Sequence, residues 1–289
     1  MSKHSPSGFV ATESQTRHEK VEILKQTGQK SENVSDTISV EEPLEIRISA
    51  PEFTETTLAI TMRTPGFDHE LSLGFLLTEG IIRSLDDVSS VEHCRPPSPD
   101  KSIHNSICIT LKGERSFRPE QLDRHFYTSS SCGVCGKTSI ENVMAKDLAL
   151  ISNHFKIRGK RLTELPSELQ QRQADFELTG GIHAAGLIDS SGDLLTVRED
   201  IGRHNAVDKL IGASLLANGI PLSGFGLILS GRASFELVQK AIMVGIEFIA
   251  AIGPPSSLSL ELARDAGVTL AGFVNDQGFN LYSQPGRVS

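Results

Sequence analysis

The sequence predicts an α/β protein built from two unlike halves, and three observations carry that expectation. Polar and apolar residues alternate at period two through much of the first half. Short continuous apolar runs alternate with amphipathic segments through the second. The chain has 289 residues, about two domains at roughly 150 residues each and enough to bury a sizeable core.

From Pro43 to about Leu111 the strand pattern dominates. Leu44, Ile46 and Ile48 alternate with Glu45, Arg47 and Ser49; Leu58, Ile60 and Met62 repeat the pattern, as do Ile103, Ile107, Ile109 and Leu111. One helix interrupts them, with Asp68 as its expected N-cap and Leu71, Phe75 and Leu76 on its apolar face. Period-two strands have one solvated face, which predicts an antiparallel sheet. In the second half, Ile182–Ile188 and Leu194–Val197 form a hairpin around Ser190-Ser191-Gly192-Asp193. A helix over Ile201–Ala217, a strand over Phe225–Leu229, a helix over Ser234–Gly245, a strand over Phe248–Ile252, a helix over Ser257–Ala266 and a strand over Val268–Phe273 follow. Strand–helix–strand alternation through short loops predicts right-handed crossovers and a mainly parallel sheet. The expected organisation is a disordered tail over 1–36, a strand-rich domain over 37–165 and a ligand-binding domain over 166–289, with the boundary in the polar stretch Arg161–Asp175.

Acidic residues outnumber basic ones 36 to 28, for a net charge of −8. That balance argues against a general nucleic-acid or anionic-membrane binder, which needs a basic face. The longest apolar stretch, Ala241–Gly253, is broken by Glu247 and is shorter than the roughly 18 residues a membrane span needs. The first 36 residues hold only scattered apolar positions, among them Phe9, Val21, Ile23 and Leu24, without the apolar core of a signal peptide. A cytoplasmic setting is the expectation. Four cysteines are too few for a disulfide scaffold in a chain of this length.

Two of those cysteines stand in Ser129-Ser130-Ser131-Cys132-Gly133-Val134-Cys135-Gly136-Lys137. The glycines allow a tight turn, and Thr138 with Glu141 reads as a capping box opening a helix. Lys137 and the positive helix end favour thiolate over thiol, below the free pKa of about 8.5. Three uses fit such a pair. It is half of a zinc site, completed by Cys94, Cys108 or His93; a thioredoxin-like redox pair; or a thiol that carries sulfur as a persulfide. Cys94 and Cys108 form no second close pair, and Cys108 reads as an incidental thiol on the polar face of its strand.

Thr179-Gly180-Gly181-Ile182-His183-Ala184-Ala185 invites comparison with the His-x-Glu signature of zinc deaminases, but Ala185 stands where the general acid/base would be. In Arg198-Glu199-Asp200-Ile201-Gly202-Arg203-His204-Asn205-Ala206-Val207-Asp208-Lys209, helical spacing puts Asp200, His204 and Asp208 on one face, either as a solvated stripe or as a ligand site. Ser230-Gly231-Arg232 and Gly253-Pro254-Pro255-Ser256-Ser257 each join a strand to a helix and read as anion sites with unpaired backbone N–H groups. Both loops and the Asp200–His204 segment follow strands and so lie at the carboxyl edge of the sheet, where α/β proteins bind ligands.

With the cysteine loop and the 198–209 block in view, the chain resembles the formate dehydrogenase accessory sulfurtransferases, the FdhD family. Further motifs carrying the resemblance are Thr64-Pro65-Gly66-Phe67-Asp68-His69-Glu70, Gly74-Phe75-Leu76, Glu79-Gly80, the 179–185 segment and Ser230-Gly231-Arg232. It implies a cytidine-deaminase-like second domain and a cytoplasmic sulfur carrier. That carrier takes sulfur from a cysteine desulfurase as a persulfide on Cys132, with Cys135 assisting. It passes the sulfur to the bis(molybdopterin guanine dinucleotide) molybdenum cofactor before insertion into formate dehydrogenase. It also implies a cofactor-binding segment over Phe273, Val274, Asn275, Asp276, Gln277 and Gly278, joined by Ser230, Gly231, Arg232, His183, Arg203 and His204. Relatives carry basic residues at Asn275 and near Gly278, where this chain does not. No resident metal or permanent cofactor is expected. The alternatives are a cofactor chaperone without sulfur transfer and a zinc-binding protein. Homodimer formation is left open.

Overall fold

The computed structural model describes residues 16–51, 53–94, 105–113, 126–127 and 151–289. The Cys132–Cys135 loop and its capping box lie outside the described residues. The fold is mixed α/β, as expected, with two principal sheets and a hairpin.

The first sheet takes β3 (Glu42–Ala50), β4 (Phe53–Arg63), β5 (Val88–His93), β6 (Ser106–Leu111) and β7 (Phe126–Tyr127) in the order β5-β6-β3-β4-β7. Alternation places Leu44, Ile46, Ile48, Ile107 and Ile109 on one fully buried face. The expected all-antiparallel arrangement is corrected. β3–β4 and β5–β6 are antiparallel, whereas β3–β6 and β4–β7 are parallel. Alternation reports a half-buried face, which either pairing can supply.

The second sheet has β8 (His183–Ile188), β9 (Leu194–Asp200), β10 (Gly226–Leu229), β11 (Phe248–Ala251), β12 (Thr269–Asn275) and β13 (Gly278–Ser283), ordered β13-β12-β11-β10-β8-β9. The central strands β10, β11 and β12 are parallel, and the other pairings are antiparallel. β13 was not anticipated: its residues are mostly half-exposed, and Asn280 interrupts its short apolar run, so the stretch resembles a loop.

Helix α1 (Asp68–Thr78) lies against the first sheet, and α4 (Arg203–Asn218) lies against β8 and β9. These two helices pack on each other, so a single apolar core runs from Ile46 through Leu71, Leu73 and Leu76 to Val207, Ile211 and Leu229. Residues 204–215 of α4 are buried on every side, as a helix between two sheets must be. α5 (Phe235–Met243) and α6 (Ser257–Ala266) contribute to the same core. The opposite face of the second sheet is covered by α2 (Gly159–Gln171), whose Leu162, Leu165 and Leu169 join Phe155, Ile228, Phe248 and Val274.

Three further expectations are corrected. Residues 18–39 form a hairpin, β1 (His18–Thr27) and β2 (Lys30–Ser39), turning at Gly28 with φ +60°. Of the expected 1–36 tail, residues 1–15 lie outside the described residues. The hairpin is fastened by ion pairing of Arg17 with Asp175 (2.6 Å) and by the Ser39 hydroxyl donating to Thr179 Oγ1 (2.8 Å), partners that its own sparse apolar sequence cannot reveal. The 165/166 boundary falls inside α2, a continuous helix that packs wholly with the second sheet. Finally, α1 is capped by Phe67 in the left-handed region (φ 61°). Asp68 instead accepts from Arg63 Nε (2.9 Å) and Nη2 (3.0 Å), both residues being buried.

Phe67 lies beneath two guanidiniums, Arg198 at 4.5 Å and Arg17 at 5.2 Å from the ring centroid. Arg198 also grips Glu70 through Nε (2.5 Å) and Nη2 (2.8 Å). An Arg198→Lys variant keeps the charge but loses the planar fork and the stacking. Its urea midpoint is expected to fall by the equivalent of about 1 kcal/mol; an unchanged midpoint would show that the clasp adds nothing.

Candidate functional site

The carboxyl ends of β9, β10, β11 and β12 and the start of β8 share one edge of the second sheet. A cavity of about 680 Å³ opens there, lined by His183, Ser230, Ile252, Val274, Asn275 and Asp276 from the sheet edge. Gln173 and Phe176 line its other wall. The sequence expectations for His183, Ser230, Val274, Asn275 and Asp276 therefore meet in one place. Gly231 abuts it: a Cβ there would stand 3.6 Å from the His183 ring. Arg203 and His204 lie close enough to His183 to act on its charge. Arg232 packs against Gly253. Phe273, Gln277 and Gly278 do not line the cavity.

His183 is half-buried, and burial first, then Arg203 and His204, push its imidazole below the ordinary value; it is neutral at pH 7 and able both to donate and to accept. Ser230 is fixed by exchange with Ala184: its hydroxyl accepts from Ala184 N (2.8 Å), and its N–H donates to Ala184 O (3.0 Å). Asn275 shapes the β12–β13 turn, accepting from Gln277 N (2.8 Å) and Gly278 N (3.2 Å) while donating to Phe273 O (2.9 Å). An asparagine that closes an Asx-type turn serves geometry where a basic residue would serve charge.

At the two expected anion loops part of the backbone is already paired: Gly253 N donates to Gly231 O, Ala233 N to Pro254 O and Ser256 N to Ala233 O. Ser256 and Ser259 complete a reciprocal capping box. The loops extend the β10–β11 pairing beyond the sheet, so each pairs part of the other's backbone.

The 198–209 block is a seam between the halves. Asp200 ends β9 and so is not on the helix with His204 and Asp208. It receives Lys209 Nζ at 2.7 Å, and Lys209 also donates to Thr64 O at 2.8 Å. Burial holds the Lys209 ammonium pKa below its usual range, opposed by Asp200. Asn205 donates to Met62 O (2.7 Å) and accepts from Thr61 Oγ1 (3.1 Å). Asp208 accepts from Lys240 Nζ (2.9 Å) and Thr78 Oγ1 (3.0 Å), while His204 faces Glu236 at 3.8 Å. His204 and Asp208 thus meet residues one turn apart on α5. Such enclosed charges need partners within reach, and the Thr61–Thr64 strand end and the block supply them to each other.

Sequence reasoning missed Gln173 and Phe176, because α2 and α3 (Ala174–Thr179) were read as a boundary. The spacing of Leu162, Leu165 and Leu169 was the available sign, masked by Pro166. Glu199 fixes Phe176 by accepting from the N–H groups of Asp175 (3.1 Å) and Phe176 (2.9 Å) at the start of α3.

Residues 39–289 match the model of the FdhD/NarQ family. The chain belongs to that family. It is 45% identical over 256 residues to the sulfur carrier protein FdhD of Mycolicibacterium paratuberculosis, covering 88% of this chain and 92% of the relative. It is 40% identical over 256 residues to that of Picrophilus torridus, covering 88% and 93%. A formate dehydrogenase accessory protein from Desulfotalea psychrophila has the same fold, with a TM-score of 0.73 at 21% identity over 95% of this chain and 100% of that one. The family match begins at β2's last residue, so most of the hairpin precedes it. Among the described residues, no helix is long and apolar enough to cross a membrane.

Proposed function

We propose that this FdhD/NarQ family member is a cytoplasmic sulfur carrier for formate dehydrogenase, working on the bis(molybdopterin guanine dinucleotide) molybdenum cofactor as its substrate. The observation that carries the reading is the sheet-edge cavity, together with the sulfur-carrier role named for relatives at 40–45% identity. Its volume of about 680 Å³ is in the range of small-molecule sites. Its lining offers an aromatic face (Phe176), an aliphatic wall (Ile252, Val274), amides (Gln173, Asn275) and one carboxylate (Asp276). Those groups suit a purine base better than a phosphate: Phe176 stacks, and Asp276 accepts from the N–H edge of guanine. Arg203 and Arg232, beside the cavity, are the groups available to the phosphates.

Cys132 is the carrier. Its thiolate attacks the terminal sulfur of the cysteine desulfurase persulfide; a new S–S bond forms, the old one breaks, and the desulfurase cysteine leaves as thiolate. Cys135 thiolate then attacks the inner sulfur of the Cys132 persulfide, releasing the terminal atom as sulfide to the cofactor and leaving a Cys132–Cys135 disulfide. The two cysteines supply both electrons, and a cellular thiol reductant restores them.

With cysteine and a desulfurase, the chain is expected to gain about 32 Da per sulfur, and Cys132→Ala to abolish the gain and the support of formate dehydrogenase. An adduct that survives in Cys132→Ala would refute the carrier assignment, while nucleotide binding with no adduct in the parent chain would favour the chaperone reading. Phe176→Ala is expected to weaken GDP binding by about tenfold or more, as lost stacking does, without reducing the adduct. Unchanged calorimetric affinity would remove the base from this cavity.

A further inference from the structure

The second pair of cysteines has no part in the sulfur relay, yet the fold brings it together. β5 and β6 pair antiparallel with Glu92 opposite Cys108 and His93 opposite Ile107. The ladder continues where Cys94 N donates to Ser106 O at 2.8 Å. Cys94 and Cys108 are therefore diagonal neighbours on adjacent strands. Ile107 and Ile109 point into the core, so alternation sends Cys108 to the outer face, where both cysteines are half-buried free thiols. Glu55 on β4 reaches across β3 to join them. One sulfur from each cysteine and one carboxylate oxygen of Glu55 lie within 4.8 Å of one another.

We propose that Cys94, Cys108 and Glu55 form a binding site for a zinc-class divalent cation on the outer face of the first sheet. Tetrahedral zinc with bonds near 2.3 Å to sulfur holds two thiolates about 3.8 Å apart. From the present spacing, the donors need to close by only about 1 Å, within rotamer adjustment at a half-buried surface. Two sulfurs and one carboxylate select a borderline cation over calcium or magnesium, which take oxygen alone. Three protein ligands leave the fourth position to water, the pattern of an open zinc site.

The cation has to displace the Cys108 proton. Burial and the Glu55 carboxylate, to which it donates, push the Cys108 thiol up to about 12, with Cys94 adding to the rise. A coordinating cation removes that proton outright. Arg47 Nη1 sits 2.8 Å from Glu55 Oε1 and competes for the carboxylate, so the cation either takes the other oxygen or displaces the guanidinium. That competition makes the site weaker than an all-thiolate one.

The test uses the full reduced chain with Cys132→Ser and Cys135→Ser, so that Cys94 and Cys108 are its only thiols, titrated with cobalt(II) as the spectroscopic probe. The expected result is a thiolate-to-cobalt charge-transfer band saturating at one equivalent and displaced by zinc. Cys94→Ser and Cys108→Ser should each lose the band, and Glu55→Gln should shift saturation to higher metal concentration. Circular dichroism checks folding. If Cys108→Ser does not fold, zinc protection of both thiols from alkylation decides instead. The proposal is overturned by a chain that shows no band, by a band that survives both serine variants, or by a pair that oxidises to a disulfide and takes up no metal once reduced.

Discussion

The Gly74→Ala variant is expected to lose about 3 kcal/mol of stability or more, at the severe end for overpacking. A Cβ at position 74 would stand 1.9 Å from the Asp208 carbonyl oxygen and 2.7 Å from its carbon. Both are backbone atoms of a helix buried on all sides, so no side chain can swing aside. The same seam recurs at Gly212, where a Cβ would meet the Glu70 carbonyl oxygen at 1.9 Å. Ordinary carbon contacts need about 3.5 Å or more, so α1 and α4 would have to separate, opening the core between Leu71 and Ile211 and stretching the Lys209–Thr64 and Asp208–Thr78 hydrogen bonds. Alanine's better helix propensity returns only about 1 kcal/mol, too little to reverse the sign. Because Gly74 and Gly212 share one seam, the double variant should cost less than the sum of the two singles. Thermal or urea unfolding measures this directly. A midpoint equal to or above the parent's would mean that the helices are not in backbone contact.

The second large effect belongs to Glu247, a fully buried carboxylate at the start of β11. It accepts from three backbone N–H groups, His154 (2.6 Å), Phe155 (2.8 Å) and Gly224 (2.7 Å), and from the hydroxyls of Ser152 (2.7 Å) and Ser223 (3.1 Å). Arg287 Nε stands 3.8 Å away. Burial alone would raise its pKa, but these donors outweigh burial and bring it down to about 2, because each favours the charged form. Since the folded-state pKa lies below the unfolded one of 4.5, the stabilisation is fully present above pH 4.5 and is lost as pH falls toward 2. The linkage is worth about 3 kcal/mol. Glu247→Gln should therefore cost about 3 kcal/mol at pH 7, its NH₂ facing donors, and should flatten the decline in stability between pH 4.5 and 2. Chemical denaturation at pH 7, 4 and 3 tests both points; a parallel decline in parent and variant would contradict this account.

Much of the second half was legible because its strands are continuous apolar runs and its helices are short and bounded by glycine and serine. The expected strand at Phe225–Leu229 is found at Gly226–Leu229, and the expected helix at Ser257–Ala266 is found unchanged. The hairpin at 18–39 and strand β13 were not legible. Their faces are only half covered, and what covers them comes from residues over a hundred positions away or from the neighbouring β12. The place of Ser230 at the carboxyl edge of the sheet followed from strand direction, whereas the start of β8 brought His183 there and the end of β12 brought Asn275. Gln173 and Phe176 were not legible, since a helix broken in pattern by Pro166 passes for a linker.

Local chemistry was therefore decided by the chain itself: the thiol pair at 132 and 135, the turn-forming Asn275 and the period of each buried strand. Those depend on residue type and spacing within a few positions. Whether Asp200, Lys209 and Asp208 would fasten two halves, and which backbone groups of the loops after β10 and β11 would pair with each other, only the tertiary structure decided. A charge or an amide is satisfied by whatever partner the fold brings within 3 Å, and here those partners, Thr64, Thr78 and Lys240, lie 32 to 145 positions away in the chain.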